Sequence, residues 1–318
     1  MAELPAIADD DERLADFATL RDLFRYAVSR FNAAGLAYGH GATNAVDEAA
    51  FIVLEGLRLP IDALDPFLDA RLTRAERARL LALIDARVAT RQPAAYLLNR
   101  AYIQGVPFYV DERTIVPRSF IGELLFAGLV GDGAPIDDPD AVGRALDLCA
   151  GGGALAILAA RVFPHASIDA VELSPNALAV ARRNVDEHCL AGRVKLHQGD
   201  LFAPLGAQRF DVILANPPYV DAESLADFPP EYAAEPRLAH AGGRDGLDVV
   251  RRILAEAGAH LTQEGLLVCE VGRARALLES AYPDLPFLWL ETEESEAEGE
   301  VFVLSAADLA PPKRAKRR

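Results

Sequence analysis

The sequence predicts an α/β fold in which a mostly parallel sheet follows a small all-helical domain, and two observations predict it. Between residues 144 and 271 short apolar runs alternate with amphipathic stretches, whereas before Leu98 apolar residues only recur at three- and four-residue steps. Strands that alternate with helices need crossover connections, and crossovers make neighbouring strands parallel. At 318 residues the chain is long enough to bury two cores.

The helical domain is legible from its stripes. Leu20, Leu23, Phe24, Ala27, Val28 and Phe31 form the apolar face of one helix, which Gly35 ends. Residues 48–57 and 74–90 repeat the pattern, the latter with Thr73 placed as N-cap and Glu76 in its first turn. The residue before a proline is pushed out of helix, so Gln92-Pro93 marks the boundary, and residues 1–98 are read as one domain. Residues 103–110 and 114–116 read as a hairpin turning at Asp111-Glu112-Arg113, within a linker over 99–118. The Gly-, Pro- and Asp-rich run 131–143 is a surface loop.

The sheet-forming domain, 119–310, has strands over 144–148, 167–171, 194–197, 210–215 and 265–271. Helices over 154–162, 175–189 and 246–261 connect them. Two further apolar runs, 285–290 and 301–304, are expected to finish the sheet as an antiparallel pair, with the acidic stretch 291–300 as the solvated loop between them. A basic tail, residues 311–318, ends the chain.

Composition narrows the function classes. Hydrophobic residues are 51 % and charged residues 25 %, ordinary for a globular protein. The net charge is −16 although Lys313 to Arg318 contribute +5, so the remainder carries −21 and repels polyphosphate. That opposes extended duplex binding by the body, and leaves the tail as either a solvated terminus or a weak RNA contact. Three scattered cysteines form neither a disulfide framework nor a zinc site, and the six histidines never stand four apart, so no metal is expected. Without a leader or an 18-residue apolar stretch, the expectation is a cytoplasmic protein with no membrane span.

Three strand ends carry the chemistry. The first runs through Asp147 into Cys149-Ala150-Gly151-Gly152-Gly153, and open α/β sheets bind ligands at such turns because backbone there approaches closely. Residue 156 is Ala, which lowers the dinucleotide reading. About twenty residues on, Glu172 ends the second strand, where a carboxylate can accept both ribose hydroxyls, while Ser174 caps the helix at Pro175. The third strand leads to Gly199-Asp200-Leu201-Phe202. One nucleoside suits all three ends.

After the apolar strand 212–215 comes Asn216-Pro217-Pro218-Tyr219. Two prolines supply carbonyl acceptors and no N–H donors, so the Asn216 and Pro217 carbonyls can each accept one hydrogen of a planar NH₂ on which Tyr219 stacks. Asp147-x-x-x-Gly151-x-Gly153, Glu172 and Asn216-Pro217-Pro218-Tyr219 together resemble the class I S-adenosylmethionine methyltransferases that methylate amino nitrogens. Pro107-Phe108-Tyr109-Val110-Asp111, Ile115-Val116-Pro117-Arg118-Ser119 and Leu225-Ala226-Asp227-Phe228-Pro229-Pro230-Glu231-Tyr232 narrow the resemblance to the protein-glutamine N-methyltransferases, nearest the branch acting on large-subunit ribosomal protein L-three.

The resemblance implies a class I, Rossmann-like, seven-stranded sheet and a substrate-recognition role for residues 1–98. It implies S-adenosylmethionine over Gly151 and Gly153, near Asp147 and Asn216, with ribose on Glu172 and adenine by Asp200 and Leu201. It further implies a substrate glutamine at Asn216, Pro217, Pro218 and Tyr219, and a ribosomal protein or assembly intermediate as partner. The turn departs from the family pattern at Ala150 and Gly152, where a hydroxyl residue is common. Two alternatives remain among enzymes: glutamine methylation of release factors, and methylation of the exocyclic amine of adenine in nucleic acid, which the acidic body opposes. A cofactor-keeping binding protein without turnover is the alternative outside enzymes, and the intact tetrapeptide opposes it.

Overall fold

Two compact units make up the computed structural model, which describes residues 11–292 and 299–310. The first comprises Met1–Tyr102, Pro107–Glu112 and Phe228–Glu235, and the second comprises Ile103–Val106, Arg113–Asp227 and Pro236–Arg318. The basic tail and residues 293–298 of the acidic stretch lie outside the described residues.

In the first unit, helices Leu20–Ala33, Ala45–Leu57 and Arg74–Thr90 pack Leu23, Phe31, Ile52, Leu80 and Ile84 into one core. Each helix starts where a side chain meets its orphan amide groups. Thr19 with Asp22 and Thr73 with Glu76 form capping boxes, and Asn44 accepts from Val46 and Asp47, which starts the second helix three residues before the expected 48. Such caps contribute about 1 kcal/mol each. Segment Phe228–Glu235 brings Glu231 into this unit, where its fully buried carboxylate accepts the Ala37 N–H at 2.9 Å and pairs with Arg91 Nη2 at 2.6 Å. Arg87, also fully buried, donates to Glu48 Oε2 at 3.0 Å.

Strands β1 (Ala101–Ile103) and β2 (Val106–Phe108) form a two-stranded sheet, which corrects the expected hairpin. The turn is Gln104-Gly105, not 111–113, and residues 114–116 form no strand. Both turn residues have positive φ, 49° and 71°, the backbone twist that a two-residue hairpin loop requires.

The second unit carries β3 (Arg144–Leu148), β4 (Ser167–Glu172), β5 (Val194–Gln198), β6 (Phe210–Ala215), β7 (Leu261–Glu270), β8 (Leu288–Leu290) and β9 (Val301–Ser305). They form one seven-stranded sheet in the order β5-β4-β3-β6-β7-β9-β8. Neighbours are parallel from β5 to β7, while β9 runs antiparallel to both β7 and β8. The sheet is the class I methyltransferase architecture, and the final antiparallel pair is as the sequence predicts. Helices Ala154–Val162, Pro175–Glu187 and Asp248–His260 make the long connections. Strand β7 begins at Leu261 rather than 265, because its pairing with β6 shifts between Phe210 and Val212 and lengthens the ladder.

Register turns this topology into a site. His197, Val171, Leu148, Ala215 and Cys269 lie in one row across β5, β4, β3, β6 and β7. One residue further along the chain, the same strands deliver Glu172, Cys149, Asn216 and Glu270 to the carboxyl edge. The chain order reverses between β3 and β6, and open α/β sheets bind ligands at the crevice such a reversal leaves.

Candidate active site

The glycine turn after β3 is held from three sides. Ala150 N donates to Val171 O at 3.1 Å, Glu172 Oε2 accepts the Gly151 N–H at 2.8 Å, and the buried Asn184 donates from Nδ2 to Gly152 O at 2.8 Å. Glu172 Oε1 accepts the Ser174 N–H at 2.7 Å, and Ser174 also caps the helix at Pro175 through Ala177 N, so the two residues share the work of ordering this strand end. Gly151 and Gly153 have φ of +53° and +79°, and a Cβ on Gly153 would sit 3.2 Å from the Ala181 Cβ. Glycine is needed there for left-handed backbone and, at Gly153, for close packing on helix Pro175–Glu187.

Asp147 lies beneath the turn, 1 % exposed. Its Oδ2 accepts the Ala156 N–H at 2.9 Å, while Oδ1 is buried without a hydrogen bond among the described residues. Burial pushes its carboxyl up to about 8, and the Glu172 charge adds to the rise. Asp200 is exposed and held by Arg252 Nη2 at 2.8 Å, and the Leu201 side chain packs into the sheet core with backbone φ of 48°.

At the other end of the row, Asn216 donates from Nδ2 to Arg118 O at 3.2 Å, and its Oδ1 makes no hydrogen bond among the described residues. Pro217 is buried, and Pro218 and Tyr219 are backed by a glycine loop. A Cβ on Gly242 would meet Pro218 O at 2.8 Å, and one on Gly246 would meet Tyr219 O at 2.3 Å. The Tyr219 ring lies against Gly272, and its hydroxyl donates to Glu270 Oε1 at 2.9 Å. Glu270, 1 % exposed, also accepts from Ser119 Oγ at 2.6 Å and Phe120 N at 3.0 Å through Oε2.

A family model described as the methyltransferase small domain matches residues 136–228, which span β3 to β6 and the tetrapeptide. A ribosomal protein uL3 glutamine methyltransferase of Bradyrhizobium diazoefficiens is 60 % identical over 297 residues, covering 92 % of each chain. The chain belongs to the ribosomal protein uL3 glutamine methyltransferase family. The member from Burkholderia pseudomallei is 54 % identical, covering 92 % of this chain and 96 % of its own. Among solved structures, a methyltransferase from Pyrococcus furiosus is similar at 18 % identity and a TM-score of 0.46, over 74 % of this chain and 99 % of that one.

Members of this methyltransferase family use S-adenosylmethionine, and the turn fits a cationic amino acid nucleoside. Its donors and acceptors are a buried carboxylate oxygen of Asp147 without a partner among the described residues, a carboxylate at the end of β4, and left-handed glycine backbone. The structure brings Asp147, Gly151, Gly153 and Glu172 together around one turn, and Asn216 directly follows Ala215, which pairs with Leu148 of the neighbouring β3. It also reveals supports that the sequence reading missed: Asn184, Glu270, Gly246 and Gly272. Only the three glycines within 242–246 left a signal, since clustered glycines mark close backbone approach.

Proposed function

We propose that this protein transfers a methyl group from S-adenosylmethionine to the side-chain amide nitrogen of a glutamine in ribosomal protein uL3. The observation that carries the reading is the orientation of Asn216, whose amide hydrogen goes to Arg118 O and whose carbonyl oxygen is thereby fixed as an acceptor beside Pro217. An amide NH₂ has two hydrogens to give, and Asn216 with Pro217 offers two acceptors. The cofactor contributes an electrophilic methyl on a sulfonium. An amide nitrogen is a poor nucleophile because its lone pair is delocalised, so catalysis rests on holding it in line and on stabilising positive charge that grows on it. Both acceptors do both, and the proton then leaves to water.

On this reading Asp147, Gly151, Gly153, Glu172, Asp200, Leu201 and Asn216 hold the cofactor, and Asn216, Pro217, Pro218 and Tyr219 hold the glutamine. Residues 1–98 recognise the protein substrate, 99–118 link, and 119–310 bind S-adenosylmethionine. The three cysteines are all free, which supports a cytoplasmic setting where ribosomes assemble. Among the described residues no helix is long and apolar enough to cross a membrane.

The test is methylation of purified uL3 with labelled cofactor, followed by mapping of the labelled residue. Label on a glutamine side chain of uL3 is expected; label confined to a release factor or to RNA refutes the reading. The basic tail is proposed as a weak RNA contact to an assembly intermediate, so its removal should lower activity on ribonucleoprotein in a salt-dependent way and spare free uL3. Equal loss on both substrates refutes that contact.

A further inference from the structure

The tetrapeptide loop and the segment Val116-Pro117-Arg118-Ser119-Phe120 are far apart in sequence, yet both converge on one side chain. Glu270, the last residue of β7, receives Tyr219 Oη on Oε1, and Ser119 Oγ and Phe120 N on Oε2. Arg118, between Pro117 and Ser119, offers its carbonyl to Asn216 Nδ2. The result is a closed chain of contacts, Asn216 to Arg118, Ser119 to Glu270, Glu270 to Tyr219 and back along the loop to Asn216.

We infer that Glu270 is the positioning residue of the methyl-transfer site, clamping the substrate loop to the 116–120 segment so that the Asn216 carbonyl is held as an acceptor. This deepens the proposed function and rests on it. The geometry favours a specific role over plain structural support. A carboxylate at the end of a buried strand is costly to bury, and an apolar residue would fill the place at less cost unless the three donors needed it. One donor, Tyr219, belongs to the tetrapeptide and the other two belong to the segment whose Arg118 carbonyl holds Asn216, and Ser119 at the same time caps helix Phe120–Leu124. Loss of the carboxylate frees the ring of Tyr219 at one end and the carbonyl of Arg118 at the other, so both fixings of Asn216 loosen together.

The clamp carries a pH signature. Burial pushes the Glu270 carboxyl up to about 7, while the Ser119 and Tyr219 hydroxyls and the Phe120 amide hold it down and Glu300, just before β9, pushes it further up. The other groups facing this cluster are Arg118, whose charge acts on Tyr219, and the buried Cys269 thiol next to Glu270. Protonation adds a hydrogen to a carboxyl already surrounded by donors. One of the two hydroxyls must turn to accept it, and a clamp contact is lost.

The experiment compares the full chain with its Glu270→Gln and Glu270→Asp variants, using uL3 and S-adenosylmethionine. Replacing one carboxylate oxygen by NH₂ should lower kcat by about ten- to a hundredfold, with cofactor Kd within about threefold of the parent. The parent should lose kcat below about pH 7 along a one-proton curve, and Glu270→Gln should lack that limb. Amide exchange in the cofactor-free protein should speed up at Phe120 and at Asn216, Tyr219 and Val220 in Glu270→Gln, a readout independent of turnover. A parent that fails to methylate uL3 defeats the proposed function, and exchange still judges the clamp. Unchanged kcat and pH profile, equal protection of both segments, or a kcat loss matched by an equal loss of cofactor affinity each overturns the inference.

Discussion

Glu172 Oε2 accepts the Gly151 N–H at 2.8 Å, so the carboxylate that ends β4 is a structural part of the glycine turn that leaves β3. On the proposed reading this group both shapes the turn and faces the ribose, which gives its loss two ways to weaken binding. Hydrogen bonds to a charged group are worth about 1.5–3 kcal/mol each, so Glu172→Ala should weaken S-adenosylmethionine by about a hundredfold. Glu172→Gln keeps one carbonyl oxygen and should fall between. Calorimetric affinities decide it, and an Ala variant that binds like the parent removes Glu172 from the site.

In the helical unit, Arg87 is the fully buried hub of an ion cluster: its Nε serves Glu48, Nη1 serves Arg91 O and Nη2 serves Ala37 O. Burial pushes the Glu48 carboxyl up against the pull of Arg87. Arg87→Met strands that carboxylate and should destabilise the protein by about 3–5 kcal/mol, whereas Arg87→Met with Glu48→Leu removes that charge pair and should recover part of it, the Arg91 and Ala37 carbonyls still lacking their donor. Urea unfolding of the full chain measures both, and a single-variant loss under about 1 kcal/mol contradicts the hub.

Long elements were legible in the sequence because their periods had room to show. The stripe from Leu20 to Phe31 and the Thr73 cap marked helices, Asp147 stood out within an apolar strand that runs into a glycine turn, and Glu172 and Asn216 stood out at the ends of apolar runs of strand length. Helices Phe120–Leu124, Ala222–Ala226 and Arg275–Ala281 did not, since five to seven residues span fewer than two turns. Gln104-Gly105 was overlooked because Gln gives no turn signal, and only the observed positive φ reveals the hairpin. Glu270 and Asn184 were invisible for another reason. Each acts through partners dozens of residues away, and a lone Glu after an apolar strand or a lone Asn within a helix carries no local pattern.

Two buried carboxyls set the direction of the pH dependence of stability in the cofactor-free protein. In the unfolded chain they titrate near about 4, whereas folding pushes Asp147 up to about 8 and Glu270 up to about 7. The folded state therefore holds protons that the unfolded state releases, and the stability these groups contribute is full below the unfolded value and lost as pH rises through 7 to 8. The melting midpoint should fall between about pH 6 and pH 8.5, and Asp147→Asn should flatten the fall. A parent that melts higher at the alkaline end than at pH 6, or an Asn variant with the parent's slope, contradicts the assignment.

The sharpest prediction concerns Asn216, whose Oδ1 is fixed as an acceptor only while Nδ2 donates to Arg118 O at 3.2 Å. On the proposed mechanism Asn216→Ala removes an acceptor needed mostly in the transition state and should lower single-turnover methylation of uL3 by about two to three orders of magnitude, with cofactor affinity changed far less. Asn216→Asp keeps an acceptor and adds a charge that favours a growing positive centre, but a carboxylate cannot donate to Arg118 O and is repelled by it. The Asp variant should keep residual turnover above the Ala level and below the parent. Tyr219→Phe tells stacking from clamping: if the ring only stacked on the amide, the hydroxyl would be dispensable, but its 2.9 Å bond to the buried Glu270 makes a loss of about tenfold the expectation. Tyr219→Ala, which also loses the ring against Gly272, should fall further. An Asn216→Ala enzyme with a near-parental rate excludes the amide clamp, because no other residue of the tetrapeptide offers a side-chain carbonyl to the substrate nitrogen.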